Sequence, residues 1–272
     1  HLRFGTVPIM APYLINAADF VAVHNQSYVY NYDVLTGLKK GGTFLLNCTW
    51  TAEELDANLP GQLKRYIAEN DIKFYIIDAV KIAQEIGLGG RINMIMQSAF
   101  FKLADVIPLE TAVKHLKEAV EHSYGKKGQN IVDMNNAAID QGINAIVAVE
   151  VPAAWANAED SKLAAETGNE FVDQLLVPMN RLEGDKLPVS AFNKYADGTF
   201  PCGTSAYEKR GIAINVPEWQ LATCIQCNQC AFVCPHAAIR PVLMTEEEAA
   251  NAPASLPSKD AIGAKGLKFA IN

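Results

Sequence analysis

"GGTFLLNCTWTAEELDANLPGQLKRYIAENDIKFYIID", residues 41–78, sets two short apolar runs on either side of a stretch with helical signals. "GGTFLLNC" and "IKFYIID" are bounded by turn residues and too short for stable helices, so they read as buried strands. Between them Thr51-Ala-Glu-Glu54 has the form of a capping box and predicts a helix running through about Asn70. A strand, a helix and a second buried strand are the repeating unit of an α/β sheet covered on both faces.

The pattern extends in both directions. Upstream, "ADFVAVHN" (18–25) is another buried strand. Downstream come three helical stretches. In "RINMIMQSAFFKLADV", Ile92, Ile95, Met96, Ala99, Phe100 and Leu103 share one face. In "ETAVKHLKEAVEHSYG", Ala112, Val113, Leu116, Ala119 and Val120 do the same, and "NIVDMNNAAIDQGINAIVAV" carries a less regular stripe. Residues 1–152 therefore read as an α/β unit with a parallel or mixed sheet and helices on both faces.

From 153 to 221 the periodicity fades. "VPAAWANAEDSKLAAETGNE" has room for one short helix, and the stretch from Gly184 to Trp219 is rich in glycine, proline and turn dipeptides. It reads as an irregular connector rather than a core-forming unit. "TEEEAANAPASLPSKDAIGAKG" (245–266) reads as a polar loop or insert, and the closing "GLKFAIN" has strand-like alternation.

Half of the 272 residues are hydrophobic, enough for a sizeable core, and the formal net charge is −7 with both signs interspersed. That balance gives no basic face for nucleic acid. With no apolar run of membrane-spanning length and no signal peptide, a cytoplasmic protein is expected. Both ends have the character of cuts through a longer polypeptide, since "HLRFGTVPIMAPYL" starts in mid-pattern without Met.

Six cysteines stand at 48, 202, 224, 227, 230 and 234. In "CIQCNQCAFVCPHAAIRP" (224–241), Cys224, Cys227 and Cys230 follow C-x2-C-x2-C spacing, with Cys234-Pro235 after three more residues. This is the bacterial ferredoxin run for a [4Fe–4S] cluster. Three thiolates from one loop reach three corners of a cube, and the fourth points away toward a second cluster. Zinc is the competing reading, but zinc ribbons separate their paired cysteines by a dozen or more residues. No partner run is present here. Cys48 reads as a small core residue and Cys202 as an incidental thiol, so the partner run is expected beyond Asn272.

At this point the chain resembles the pyruvate:ferredoxin oxidoreductase (pyruvate synthase) family. The resemblance rests on "HLRFG", "KFYIIDAVKIAQEIGLGGRINMIMQSAFFKLADVIP", "LPVSAF", "GTSAYEKRGIA" and the cysteine run. It implies that residues 1–152 are a coenzyme A-binding type of domain, N-terminally truncated. It also implies that 153–221 are the connector marked by Glu208-Lys209-Arg210, and that 222–272 are the first half of a two-cluster ferredoxin-like domain. The implied reaction is oxidative cleavage of pyruvate. Electrons pass through iron–sulfur clusters to ferredoxin or flavodoxin, and coenzyme A takes the acetyl group. Thiamine diphosphate and magnesium would sit in other domains of the same enzyme, since "EGDK" (183–186) is only a loop and no diphosphate motif is present. A homodimer is implied too.

"GLGGRIN" (87–93) places glycines before a helix whose free N–H groups can receive an anion. Ile92 stands where a dinucleotide fingerprint needs glycine. By composition alone the loop serves close packing. The resemblance associates Asn93 and Asn135 with coenzyme A, and Arg91 is a candidate by chemistry, since guanidinium forks onto phosphate. His115, Glu118, Glu121 and His122 lie on one helix side but match no metalloprotease motif, so a solvated face is expected. His24 reads as a structural histidine at a strand end. His236 is a candidate for hydrogen bonding near the cluster. Beside the enzyme-part reading stand a stand-alone iron–sulfur electron carrier or adaptor and a zinc-stapled binding module.

Overall fold

The computed structural model describes residues 3, 7–10, 15–161, 167–208, 213 and 216–272. "HLRFG", Lys209 and Arg210, and residues 162–166 of the expected short helix lie wholly or largely outside that set. The chain divides into two compact units, His1–Ile212 and Ala213–Asn272. Among the described residues no helix is long and apolar enough to cross a membrane.

In the first unit, β1 (Ala18–Val23), β2 (Leu38–Asn47), β3 (Lys73–Ile77) and β4 (Val147–Ala148) form one sheet in the order β1-β2-β3-β4. The first three are parallel, with Val23 beside Leu46 and Phe44 beside Phe74, and β4 runs antiparallel on the far edge. The sheet is therefore mixed.

Side chains alternate across it. Phe44, Leu46, Phe74 and Ile76 face a layer built by α1 (Tyr28–Asn31), α2 (Leu55–Asn58), α3 (Gly61–Glu69) and Trp155. The Phe44 and Phe74 rings stack at 5.1 Å. Leu45 and Ile77 face the other way, onto α4 (Ala79–Ile86), α5 (Asn93–Ala104) and α7 (Gln129–Asn144). A side chain such as Phe44, fully buried, contributes roughly 1.5–3 kcal/mol. Between α5 and α7 in sequence lies α6 (Leu109–Tyr124), which packs Leu116 and Val120 against Val132 and Ile139 of α7. Ala119, expected on that buried face, is exposed.

The expected helix from Thr51 to Asn70 is two helices. Thr51 N–H does donate to Glu54 Oε2 at 2.9 Å, so half of the box forms. Pro60 then breaks the run, because it has no N–H and its ring disfavours helix in the preceding residue. The chain restarts as α3 directly after it. The short helix α4 went unrecognised in the sequence. Asp78 caps it by accepting from Lys81 N–H at 2.9 Å, and Gly87 ends it at φ 93°.

The stretch expected as a connector is more than irregular chain. It enters on Trp155, which is buried and donates from Nε1 to Asp56 Oδ1 at 2.8 Å, while Arg65 clamps Ala158 O and Asp160. Farther on, a short π-helical turn (Val172–Leu176) continues into α8 (Val177–Asn180). Phe171, Val172 and Leu175 form a small core of their own with Phe192 and Tyr195 nearby. The expectation of no core here is corrected: the apolar side chains come from separated short turns, so no periodicity marks them.

The second unit holds α9 (Gln229–Val233), β5 (Pro241–Thr245), α10 (Glu246–Asn251), β6 (Lys259–Asp260) and β7 (Leu267–Ile271). The strands pair antiparallel in the order β5-β7-β6. The stretch 245–266, expected as a polar loop, contains α10 and β6. A complete capping box starts α10, with Glu248 N–H donating to Thr245 Oγ1 and Thr245 N–H to Glu248 Oε2.

Candidate iron–sulfur and coenzyme sites

The cysteine run is shaped by backbone that most side chains avoid. Gln226 and Asn228, the residues flanking Cys227, both lie at φ 58°. Asn tolerates that left-handed region better than most residues, whereas Gln needs to be held there. Its side chain supplies the hold: Nε2 donates to Asp260 O and Oε1 accepts from Ile262 N–H, both at 2.7 Å. The loop is thus tied to β6 and the turn after it.

The turned backbone aims N–H groups at sulfur. Gln226 N–H donates to Cys224 Sγ at 3.4 Å and Ala238 N–H to Cys234 Sγ at 3.3 Å. The N–H of Gln226, then the Trp219 indole and the Lys259 charge, hold the Cys224 thiol below its ordinary pKa. The N–H groups of Ile239, His236 and Ala238 do the same for Cys234. His236 contributes here through its main chain. Donors pointed at sulfur stabilise thiolate, the form that binds iron, so these residues fit an iron–sulfur cluster. Among the described residues no three His, Cys, Asp or Glu side chains converge at single-ion distance. Cys227 and Cys230 are exposed, as are Ile225, Phe232 and Val233 beside them.

The other two cysteines lie apart from the run. Cys48 is 3% exposed in the core, its pKa pushed up to about 11 chiefly by burial. Cys202 is exposed, in the stretch expected as a connector.

In the first unit, the glycine loop closes α4 and opens α5. Gly87 N–H donates to carbonyls of the last turn of α4, and Arg91 N–H to Leu88 O at 3.3 Å. No side chain caps α5, whose first residue is Asn93; Asn93 and Arg91 are both exposed. Asn135 sits in α7, which packs against α5. It is buried and donates one Nδ2 hydrogen to Ile131 O at 2.8 Å. The loop reaches toward α7 next to Asn135, since a Cβ on Gly87 would meet Met134 Sδ at 3.5 Å. The neighbouring Asn136 has a buried Oδ1 without a partner.

His115 and Glu118 are an exposed pair at 3.0 Å, and Glu121 and His122 are exposed beside them, as a solvated face requires. His24 O accepts from Asn47 Nδ2 at 2.8 Å, and Asn47 Oδ1 accepts from Ala79 N–H at 2.9 Å. Buried Asn47 therefore joins the exits of β1 and β3, a role the sequence did not signal because its partners are remote. Trp219, Gln226 and Lys259 escaped sequence reasoning for the same reason.

Three family models match in succession. Pyruvate ferredoxin/flavodoxin oxidoreductase matches residues 1–145, EKR, a domain of unknown function, matches 158–213, and a 4Fe-4S binding domain matches 216–239. A pyruvate-flavodoxin oxidoreductase from Enterobacter agglomerans is 62% identical over the whole chain, which covers 23% of that protein. A pyruvate:ferredoxin oxidoreductase from Moorella thermoacetica is 56% identical over the whole chain, again 23% of the relative. A solved pyruvate oxidoreductase subunit from Thermotoga maritima has a TM-score of 0.40 and 20% identity, covering 50% of this chain and 67% of that one. The chain spans about a quarter of the length of the curated relatives it matches. It belongs to the pyruvate ferredoxin/flavodoxin oxidoreductase family.

Proposed function

We propose that these residues form the coenzyme A side and the first electron relay of a pyruvate:ferredoxin or flavodoxin oxidoreductase. The observation that carries this reading is the succession of the three family matches, with identity running unbroken across them. Residues 1–152 serve the coenzyme, 153–221 connect, and 222–272 begin a two-cluster ferredoxin-like domain. Thiamine diphosphate and magnesium belong to other parts of the enzyme, a cytoplasmic homodimer.

A [4Fe–4S] cluster supplies a one-electron relay when bound. Cys224, Cys227 and Cys230 are its thiolate ligands, and the N–H of Gln226 offsets negative charge at Cys224. Cys234 serves the neighbouring cluster. In the first unit, the uncapped start of α5 and the Arg91 guanidinium receive phosphate oxygens of coenzyme A. Asn93 donates beside them. Asn135, with one Nδ2 hydrogen on Ile131 O, offers its second N–H and its Oδ1.

The test is made on the native polypeptide, purified anaerobically. Pyruvate-dependent reduction of ferredoxin should require coenzyme A. Cys227→Ser should abolish acceptor reduction while a single turnover of carboxyl-labelled pyruvate still releases carbon dioxide. Undiminished acceptor reduction in Cys227→Ser would contradict the relay.

A further inference from the structure

Two side chains grip the cysteine loop without being ligands. Lys259 Nζ donates to Leu221 O at 3.0 Å and to Cys224 O at 2.8 Å. It is partly buried, and among the described residues no carboxylate is paired with it. Its charge is thus held on the main chain of the residue that carries the first thiol of the run. Trp219 precedes that cysteine by five positions and packs edge-on against Phe269 at 6.1 Å. Its Nε1 is buried without a hydrogen-bond partner. A buried indole N–H left open carries a desolvation cost and calls for an explanation. The side chain on the loop that this indole interacts with is Cys224.

We propose that Trp219 and Lys259 set the reduction potential of the cluster at Cys224, Cys227 and Cys230, the indole N–H donating to sulfur at the Cys224 corner and the ammonium holding positive charge against it. This rests on the iron–sulfur reading above. Reduction adds one electron to the cluster and breaks no bond. The added negative charge is stabilised by a donor aimed at sulfur and by a fixed cation, so both raise the potential. Both are positioning residues: neither touches iron.

The experiment is an anaerobic redox titration of the native polypeptide followed by EPR. Trp219→Phe keeps the ring against Phe269 and removes only the N–H, and Lys259→Gln keeps a donor and removes the charge. Each should move one cluster signal to more negative potential, with iron content unchanged. Lys259→Arg should restore the parental potential. In the unmodified protein carrying nitrogen-15 in its tryptophan indoles, a hyperfine coupling to the reduced cluster is expected that Trp219→Phe removes. Full iron content with unmoved potentials in both variants, or no indole coupling in the unmodified protein, would overturn the proposal. A parent protein without iron and sulfide would overturn the iron–sulfur reading itself, and this inference with it.

Discussion

Gly142 is a point of close approach between the helices proposed to carry the coenzyme site. It is buried in α7, and a Cβ there would lie 2.4 Å from Ser98 Oγ, 2.5 Å from Ile95 O and 2.8 Å from Ile95 Cα. Gly142→Ala sets two effects against each other. Helix propensity favours alanine by about 1 kcal/mol. Overpacking a well-filled interface costs about 1–3 kcal/mol, and two of the three obstructing atoms are main chain, which no rotamer change can clear. Reaching ordinary carbon contact separates the helices by roughly 1 Å, so the cost lies toward the upper end. The net expectation is a loss of about 1–2 kcal/mol, a drop in Tm of about 2–8 °C for a unit of this size. The measurement is thermal unfolding of the chain followed by fluorescence of Trp50 and Trp155. Adding Ser98→Ala should not rescue it, because Ile95 O remains in the way. A Tm equal to or above the parent would refute the reasoning.

Three further outcomes follow from the site geometry. In the native polypeptide, Cys234→Ser should perturb the second cluster more than the one at Cys224, Cys227 and Cys230; resolved EPR signals showing the reverse would remove the crossed ligation. Asn93→Ala and Asn135→Ala should each weaken coenzyme A binding by about 1–3 kcal/mol. Unchanged calorimetric affinity in both folded variants excludes these residues. Cys48 keeps its proton up to about pH 11 when folded, against an ordinary value of 9.0. The folded chain therefore binds more protons in that window, and stability that is full below pH 9 falls by roughly 2–3 kcal/mol as pH rises through 11. Denaturant titrations of Cys48→Ala should lack that part of the alkaline slope; an identical slope contradicts it.

What could be read in the sequence was what local chemistry decides. β2 and β3 were legible because both their faces are covered, giving unbroken apolar runs. The faces of α5 and α6 were legible because they are long enough to show a 3.6-residue period. The break at Pro60 was hidden by the cap signal at Thr51, which half forms and is followed by only a single turn of helix at Leu55–Asn58. The same signal at Thr245–Glu248 was hidden by polar surroundings, since α10 buries no residue. At the candidate sites, cysteine spacing is local and named the cluster residues. The roles of Trp219, Gln226 and Lys259 arise from packing between β6, β7 and the loop, which spacing along the chain does not encode.

The claim at the centre is that the run from Cys224 to Cys234 is an iron–sulfur electron relay and not a zinc knuckle. The most direct measurement is an anaerobic count of iron, acid-labile sulfide and zinc on the native polypeptide, beside its Cys224→Ser variant. The account predicts iron and sulfide in equal amounts, with both falling together in the variant. Stoichiometric zinc without sulfide, lost on the same substitution, would contradict it.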